Sequence, residues 1–210
     1  MKILRSALLM MMFINMSAAA AYCEDKLPFN LITREQWGAQ WVNPGSYSYS
    51  APMKFTLHHT AGPYPANLEA AKEEMRAIQR GVLSWGIDTA YHYIISPQGD
   101  VFQGIPDDKL GSHALNDNYN NVGICFMGNY MNDTPTPQSL DAFVNLVKYL
   151  KAKYAAIEKN RRFILHRETY ATLCPGDKLV VLRDQLYARI FDGKAAPAEY
   201  TAYQSMPVDA

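Results

Sequence analysis

The chain has no excess of charge: 20 lysines and arginines face 20 aspartates and glutamates across 210 residues. Lacking a basic run, it offers no electrostatic footprint for a nucleic-acid partner, since phosphate contacts need clustered positive charge. Cysteine is scarce, three in all, and no close CxxC pair exists, which excludes a zinc-finger arrangement. No HExxH helix is present, so the usual metalloprotease signature is absent too. Internal repeats and linkers are missing. What remains is nearly half apolar and rich in aromatics, which describes one folded globular domain with a single core.

The first residues differ in character from the rest. Lys2 and Arg5 precede the apolar run Ala7 to Ile14 and the small-residue stretch Ser17 to Ala21. This pattern predicts a secretory signal peptide over 1–21, too short to remain as a membrane span, with Ala19-Ala20-Ala21 as cleavage site. A lipoprotein signal acylated at Cys23 ranks second, because bulky Tyr22 stands where a small residue is wanted. The expected location is therefore secreted or periplasmic, with no transmembrane segment in the mature chain. An oxidising compartment favours disulfides, and a pairing among Cys23, Cys125 and Cys174 stays open. Cys125, inside "VGICFMG", reads as a small buried hydrophobe. Cys174 follows a histidine in a polar segment, "ILHRETYATLCPG", and calls for a separate explanation.

After a leader over 22–30, the domain is expected over 31–193, with an Ala/Pro-rich tail over 194–210. "MKFTLHHT" (53–60) alternates like a strand ending in polar residues. Asn67 is a plausible N-cap for a helix to about Trp85, with Leu68, Ala71, Met75, Ile78 and Val82 at helical spacing. "TAYHYIISPQGDVFQG" (89–104) reads as a hairpin, and "VGICFMGNY" as a central strand covered on both faces. Thr136 and Pro137 start a second amphipathic helix. "RFIL" forms a short strand before His166, and a last helix is expected from about Lys178 to Phe191 with Leu179, Leu182, Leu186 and Ile190 inward. The sum is a single α/β domain, a central mixed β-sheet flanked by helices.

Taken singly, a histidine or cysteine is more often packing than chemistry. Here His58 and His166 both end predicted strands and Cys174 lies in the loop after the second. Two imidazoles and a thiolate suit a tetrahedral zinc ion with one open position, and ligands far apart in sequence are typical of catalytic sites.

The set "LHHTAG", "AYHYIISPQGDVFQG", "GSHALNDNYNNVGICFMGNY" and "FILHRETYATLCPG" resembles the zinc-dependent N-acetylmuramoyl-L-alanine amidases of the peptidoglycan recognition protein family, and the related phage amidases. The resemblance runs from about Leu31 to Phe191. It implies that His58, His166 and Cys174 bind Zn2+, that Tyr91 and Thr172 face the attacking water and the substrate carbonyl, and that His113 lines the substrate groove. It also implies a peptidoglycan or muropeptide substrate and a monomer. Members that only recognise peptidoglycan typically lack the cysteine ligand, so the resemblance favours an enzyme; the rival expectation is a non-catalytic binding module. A third reading, a zinc peptidase cutting within the stem, is weakened by the missing HExxH helix. His59 and His92 are expected to be structural, each alternating away from its neighbour. Two features depart from the family pattern: the loop "AGPYPANLEAAKEEM" has no cysteine, and Pro106-Asp107 stand where relatives sort stem peptides.

Overall fold

A computed structural model of the protein describes residues 26–40 and 47–195. The expected signal peptide, Cys23 and nearly all of the tail lie outside the described residues.

Six strands form one sheet: β1 (Asn30–Ile32), β2 (Lys54–His59), β3 (Tyr93–Ile95), β4 (Asp100–Gln103), β5 (Asn121–Phe126) and β6 (Arg162–Leu165). Their order is β1-β4-β3-β5-β2-β6. Only the β3–β4 hairpin is antiparallel; the other four pairings are parallel. The mixed sheet and flanking helices agree with the fold read from the sequence. Strand β1 begins at Asn30, the last residue of the expected leader.

Helices α1 (Arg34–Trp37) and α2 (Leu68–Leu83) pack on one face. Helices α3 (Pro137–Lys153), α4 (Ala155–Asn160), α5 (Asp177–Val180) and α6 (Arg183–Ile190) supply residues to the core on the other. The two long helices start at the residues the sequence marks. Ala70 N–H donates to Asn67 Oδ1 and Ser139 N–H to Thr136 Oγ1, each at 3.0 Å, which satisfies donors a helix end leaves open. The α2 face differs in one detail. Gln79 takes a fully buried position among the apolar residues because its amide bridges the Gln40 carbonyl and the Asp88 carboxylate.

Alternation along β2 and β5 sorts their side chains. Phe55 and Leu57 of β2 and Val122, Ile124 and Phe126 of β5 enter the larger core, where Phe55 stacks on Phe163 at 4.9 Å and meets Phe143 edge-on. Thr56, His58, Asn121, Gly123 and Cys125 point to the α2 side. The same strands thus present an apolar face and a polar one.

The expected last helix is broken into α5 and α6. The chain parts at the β-branched pair Val180-Val181, residues with weak helix preference. Arg183 is wholly buried, whereas Leu182, expected inward, is only half-buried. The Arg183 guanidinium earns this position by donating to Glu168 Oε1 at 2.8 Å and to the Phe163 carbonyl at 2.9 Å. Helix α4, absent from the sequence reading, is a six-residue turn without a side-chain cap, ended by Arg161 in the left-handed region.

Candidate metal centre and its surroundings

His58 sits near the carboxyl end of β2, between β5 and β6, and His166 opens a short 3-10 turn directly after β6. Because β2, β5 and β6 run parallel, their ends gather at one edge, the usual place for a site in such sheets. The loop after His166 returns Cys174 to the same edge. One ligand atom each of His58, His166 and Cys174 lie within 4.8 Å of one another. His58 Nδ1 is 3.6 Å from Cys174 Sγ. With zinc bonds of about 2.3 Å to sulfur and 2.05 Å to nitrogen, a tetrahedral ion would set that separation at about 3.6 Å, so this pair fits such an ion as it stands.

The Cys174 loop is held by its neighbours. Arg167 N–H donates to the Cys174 carbonyl at 3.0 Å, and the Arg167 guanidinium reaches the Leu173 carbonyl and Asp177. Glu168 accepts from Leu165 N–H and from Arg183, tying the turn to α6. Cys174 N–H donates to Thr172 Oγ1 at 3.2 Å, and His59 N–H donates to Cys174 Sγ at 3.3 Å. This brace of Arg167, Glu168 and Arg183 is what the sequence reading missed; the only local signal is the placement of Glu168 within the turn.

Electrostatics at the cluster favour neutral rings and a thiol that needs a cation. Burial drives the His58 pKa well below its ordinary value and also lowers that of His166, so both offer lone pairs at neutral pH. Burial pushes the Cys174 thiol up to about 12, against which hydrogen bonding from His59 N–H and the charge of Arg167 act. A dication at the thiol would reverse the balance and draw out the thiolate.

Tyr91 lies beside this cluster, its ring 5.3 Å from that of His58, and its hydroxyl pairs with the Cys125 thiol. Burial raises the phenol well above its ordinary pKa, which keeps it a hydrogen-bond donor. Tyr91 and His92 do not face opposite ways as strand alternation would have it: both rings lie near His113, at 6.5 and 5.5 Å. Residue 91 precedes β3, and Ala90 has φ 62°, so extended geometry has not yet begun. His92 is structural, as expected, with Nδ1 accepting from Gly123 N–H and Nε2 facing the Lys109 carbonyl. So is His59, whose Nδ1 accepts from Tyr130 N–H.

His113, expected to line the substrate groove, has little exposed surface. It is 7% exposed, packed behind His58, with its Nδ1 3.0 Å from His58 Nε2. The reason is the polar slot on the α2 side of β5, which takes the ring where an apolar side chain would otherwise stand. Asp107 is likewise turned inward, accepting from Tyr93, Tyr154 and Lys153 on the opposite side of the sheet. Both free cysteines among the described residues, Cys125 and Cys174, are buried.

Residues 48–177 match the family Amidase_2, N-acetylmuramoyl-L-alanine amidase. Peptidoglycan-recognition protein SD of Drosophila simulans is 30% identical over 158 residues, covering 74% of this chain and 84% of the relative. Peptidoglycan-recognition protein SC1a/b of the same species is 33% identical over 156 residues, covering 70% and 80%. The crystal structure of the Drosophila SD protein superposes with TM-score 0.70 at 28% identity, covering 75% of this chain and 94% of that one. Peptidoglycan recognition protein-LE, solved in complex with tracheal cytotoxin, gives TM-score 0.65 at 26% identity over 73% of this chain and 92% of its own. By sequence and by fold, this chain belongs to the peptidoglycan recognition protein and type 2 amidase family.

Proposed function

We propose that the protein is an exported zinc amidase that hydrolyses the bond between the lactyl group of N-acetylmuramic acid and L-alanine of the peptidoglycan stem peptide. The observation that carries this reading is the convergence of His58, His166 and Cys174, each from a different segment, within 4.8 Å of one another, with His58 and Cys174 at the separation a tetrahedral ion sets. Membership of the family, and the complex of a relative with a muropeptide, support peptidoglycan as the ligand. Export rests on the Lys2/Arg5, apolar and Ala-rich pattern at the start of the sequence.

A zinc ion bound by the three side chains would supply Lewis acidity toward the amide carbonyl and acidify a water molecule toward a pKa of about 7. The chain's own groups then divide the remaining tasks. Tyr91, kept protonated, can leave Cys125 and donate to the carbonyl oxygen as negative charge grows there. Thr172, whose oxygen accepts from Cys174 N–H, keeps its hydroxyl hydrogen available to donate to the same oxygen. Arg167 and Glu168 keep the thiol-bearing loop in register with His58. In the overall reaction water adds its oxygen to the carbonyl carbon, the C–N bond breaks, and a proton passes to the leaving amine of alanine.

Mass spectrometry of digests of defined sacculi, with and without chelator, tests the reading, together with metal content. Stoichiometric zinc and chelator-sensitive release of intact stem peptides are expected. Tight binding without cleavage would instead make the protein a recognition module.

A further inference from the structure

His113 is a buried imidazole that the chemistry above does not use, and its surroundings dictate where its proton sits. Its Nε2 is 3.1 Å from the Asn121 carbonyl oxygen. A carbonyl can only accept, so Nε2 carries the hydrogen. The ring is buried, and its nitrogens face a carbonyl oxygen and another imidazole with no carboxylate to hold a charge, so it is neutral. Its Nδ1 is therefore a bare acceptor, 3.0 Å from His58 Nε2. The only consistent arrangement has His58 donating from Nε2, which leaves His58 Nδ1 without a proton on the side facing Cys174.

The slot that holds this ring is built for it. A Cβ at Gly123 would come within 2.5 Å of the His113 ring, and one at Gly111 within 2.7 Å. Asn118 Oδ1 accepts from His113 N–H at 2.8 Å. Asn121, whose carbonyl anchors the far nitrogen, is itself fixed by paired hydrogen bonds with Thr56 at 3.0 and 2.9 Å. His92, which accepts from Gly123 N–H at 2.9 Å, closes the slot edge-on.

We infer that His113 is a positioning residue that sets the tautomer of His58, through the relay Asn121 carbonyl, His113, His58, so that His58 presents Nδ1 as a ready metal ligand. This rests on the reading of His58 as a ligand, and it adds a requirement outside the three coordinating side chains. Ligating histidines that lose the partner of their second nitrogen typically bind metal about 10- to 100-fold more weakly.

The test has a part that needs no metal. Long-range 1H–15N spectra of the metal-free protein are expected to show the Nε2–H tautomer for both His58 and His113; a proton on His58 Nδ1 would overturn the inference. Zinc affinity, measured by chelator competition, is then compared for His113→Leu and His113→Asn. Leucine fills the slot with similar bulk but removes the acceptor, whereas asparagine keeps an oxygen where Nδ1 stands. His113→Asn is expected to bind zinc at least about tenfold more tightly than His113→Leu. The opposite order, or a leucine variant equal to wild type, would reduce His113 to packing. Should His113→Leu fail to fold, the wild-type spectrum and His113→Asn still decide. A wild type that binds no zinc defeats the metal reading, while the tautomer spectrum judges the relay on its own.

Discussion

The two faces of the sheet meet opposite demands along the same strands. Toward α3 and α6, β2 and β5 present Phe55, Leu57, Val122, Ile124 and Phe126, packed against Phe143, Phe163 and Tyr187. Toward α2 they present Thr56, His58, Asn121, Gly123 and Cys125, where hydrogen bonds between histidines, an amide and a hydroxyl replace much of the apolar contact. One face is tolerant of shape and intolerant of lost volume. The other is intolerant of a lost donor or acceptor, because an unpaired polar group away from water costs about 1–3 kcal/mol. Apolar packing is concentrated on the first face and the candidate metal site on the second.

Substitutions can pull these faces apart. The largest effect is expected for Cys174→Ala on the polar side: zinc content falls to a small fraction of stoichiometric and stem-peptide release drops on the order of a thousandfold or more, while urea denaturation of the metal-free protein shows a loss of only about 1–3 kcal/mol, as His59 N–H is left without its acceptor. A variant that still hydrolysed peptidoglycan would defeat the assignment. Next is Phe163→Ala on the apolar side, expected to cost about 3–5 kcal/mol in unfolding free energy, with zinc still bound by the molecules that remain folded. Tyr91→Phe is expected to slow turnover by roughly tenfold to a hundredfold with unchanged zinc content, as loss of one donor to the developing oxyanion requires.

A separate effect is on the pH dependence of the metal-free protein, spread over several pH units. Burial lowers the pKa of His92 and His113 in the folded chain, His113 to about 3, whereas both titrate near 6.5 once unfolded. Below about pH 6.5 the unfolded chain takes up protons that the folded chain refuses, so stability is full above that pH and falls toward about pH 3. Denaturation midpoints measured across this window should decline, with a slope of up to about 1.4 kcal/mol per pH unit for each histidine held neutral. His113→Leu should remove one such contribution; an unchanged slope would show that His113 is not held neutral.

Legibility followed the range of the forces involved. Strands β2 and β5 and helices α2 and α3 were readable because alternation and helical spacing are local, and because Asn67, Thr136 and Pro137 mark helix starts. Of the three candidate ligands, His58 and His166 stood out at strand ends and Cys174 as a cysteine in a polar loop. Two short elements went unread, β1 of three residues and α4 of six, too few for a period of their own, whereas the short β6 was marked by its apolar run. Arg183 could not be placed inside from sequence, since its partner Glu168 lies 15 residues away and only the fold brings them together. The same holds for His113, whose burial depends on two glycines, one ten residues downstream. Gly123 within an otherwise apolar strand was the available hint, as glycine there often marks a close approach.

His58 and Cys174 are 116 residues apart, so anything that grips both closes a loop of more than half the chain. An ion held there is a removable cross-link as well as a reagent. It restricts the unfolded ensemble little until β2 and β6 have already paired, yet once seated it locks the earliest long strand to the last loop. Metal capture would then act as a late seal on folding, with the chain emerging from synthesis unable to hold the ion until residue 174 has been made.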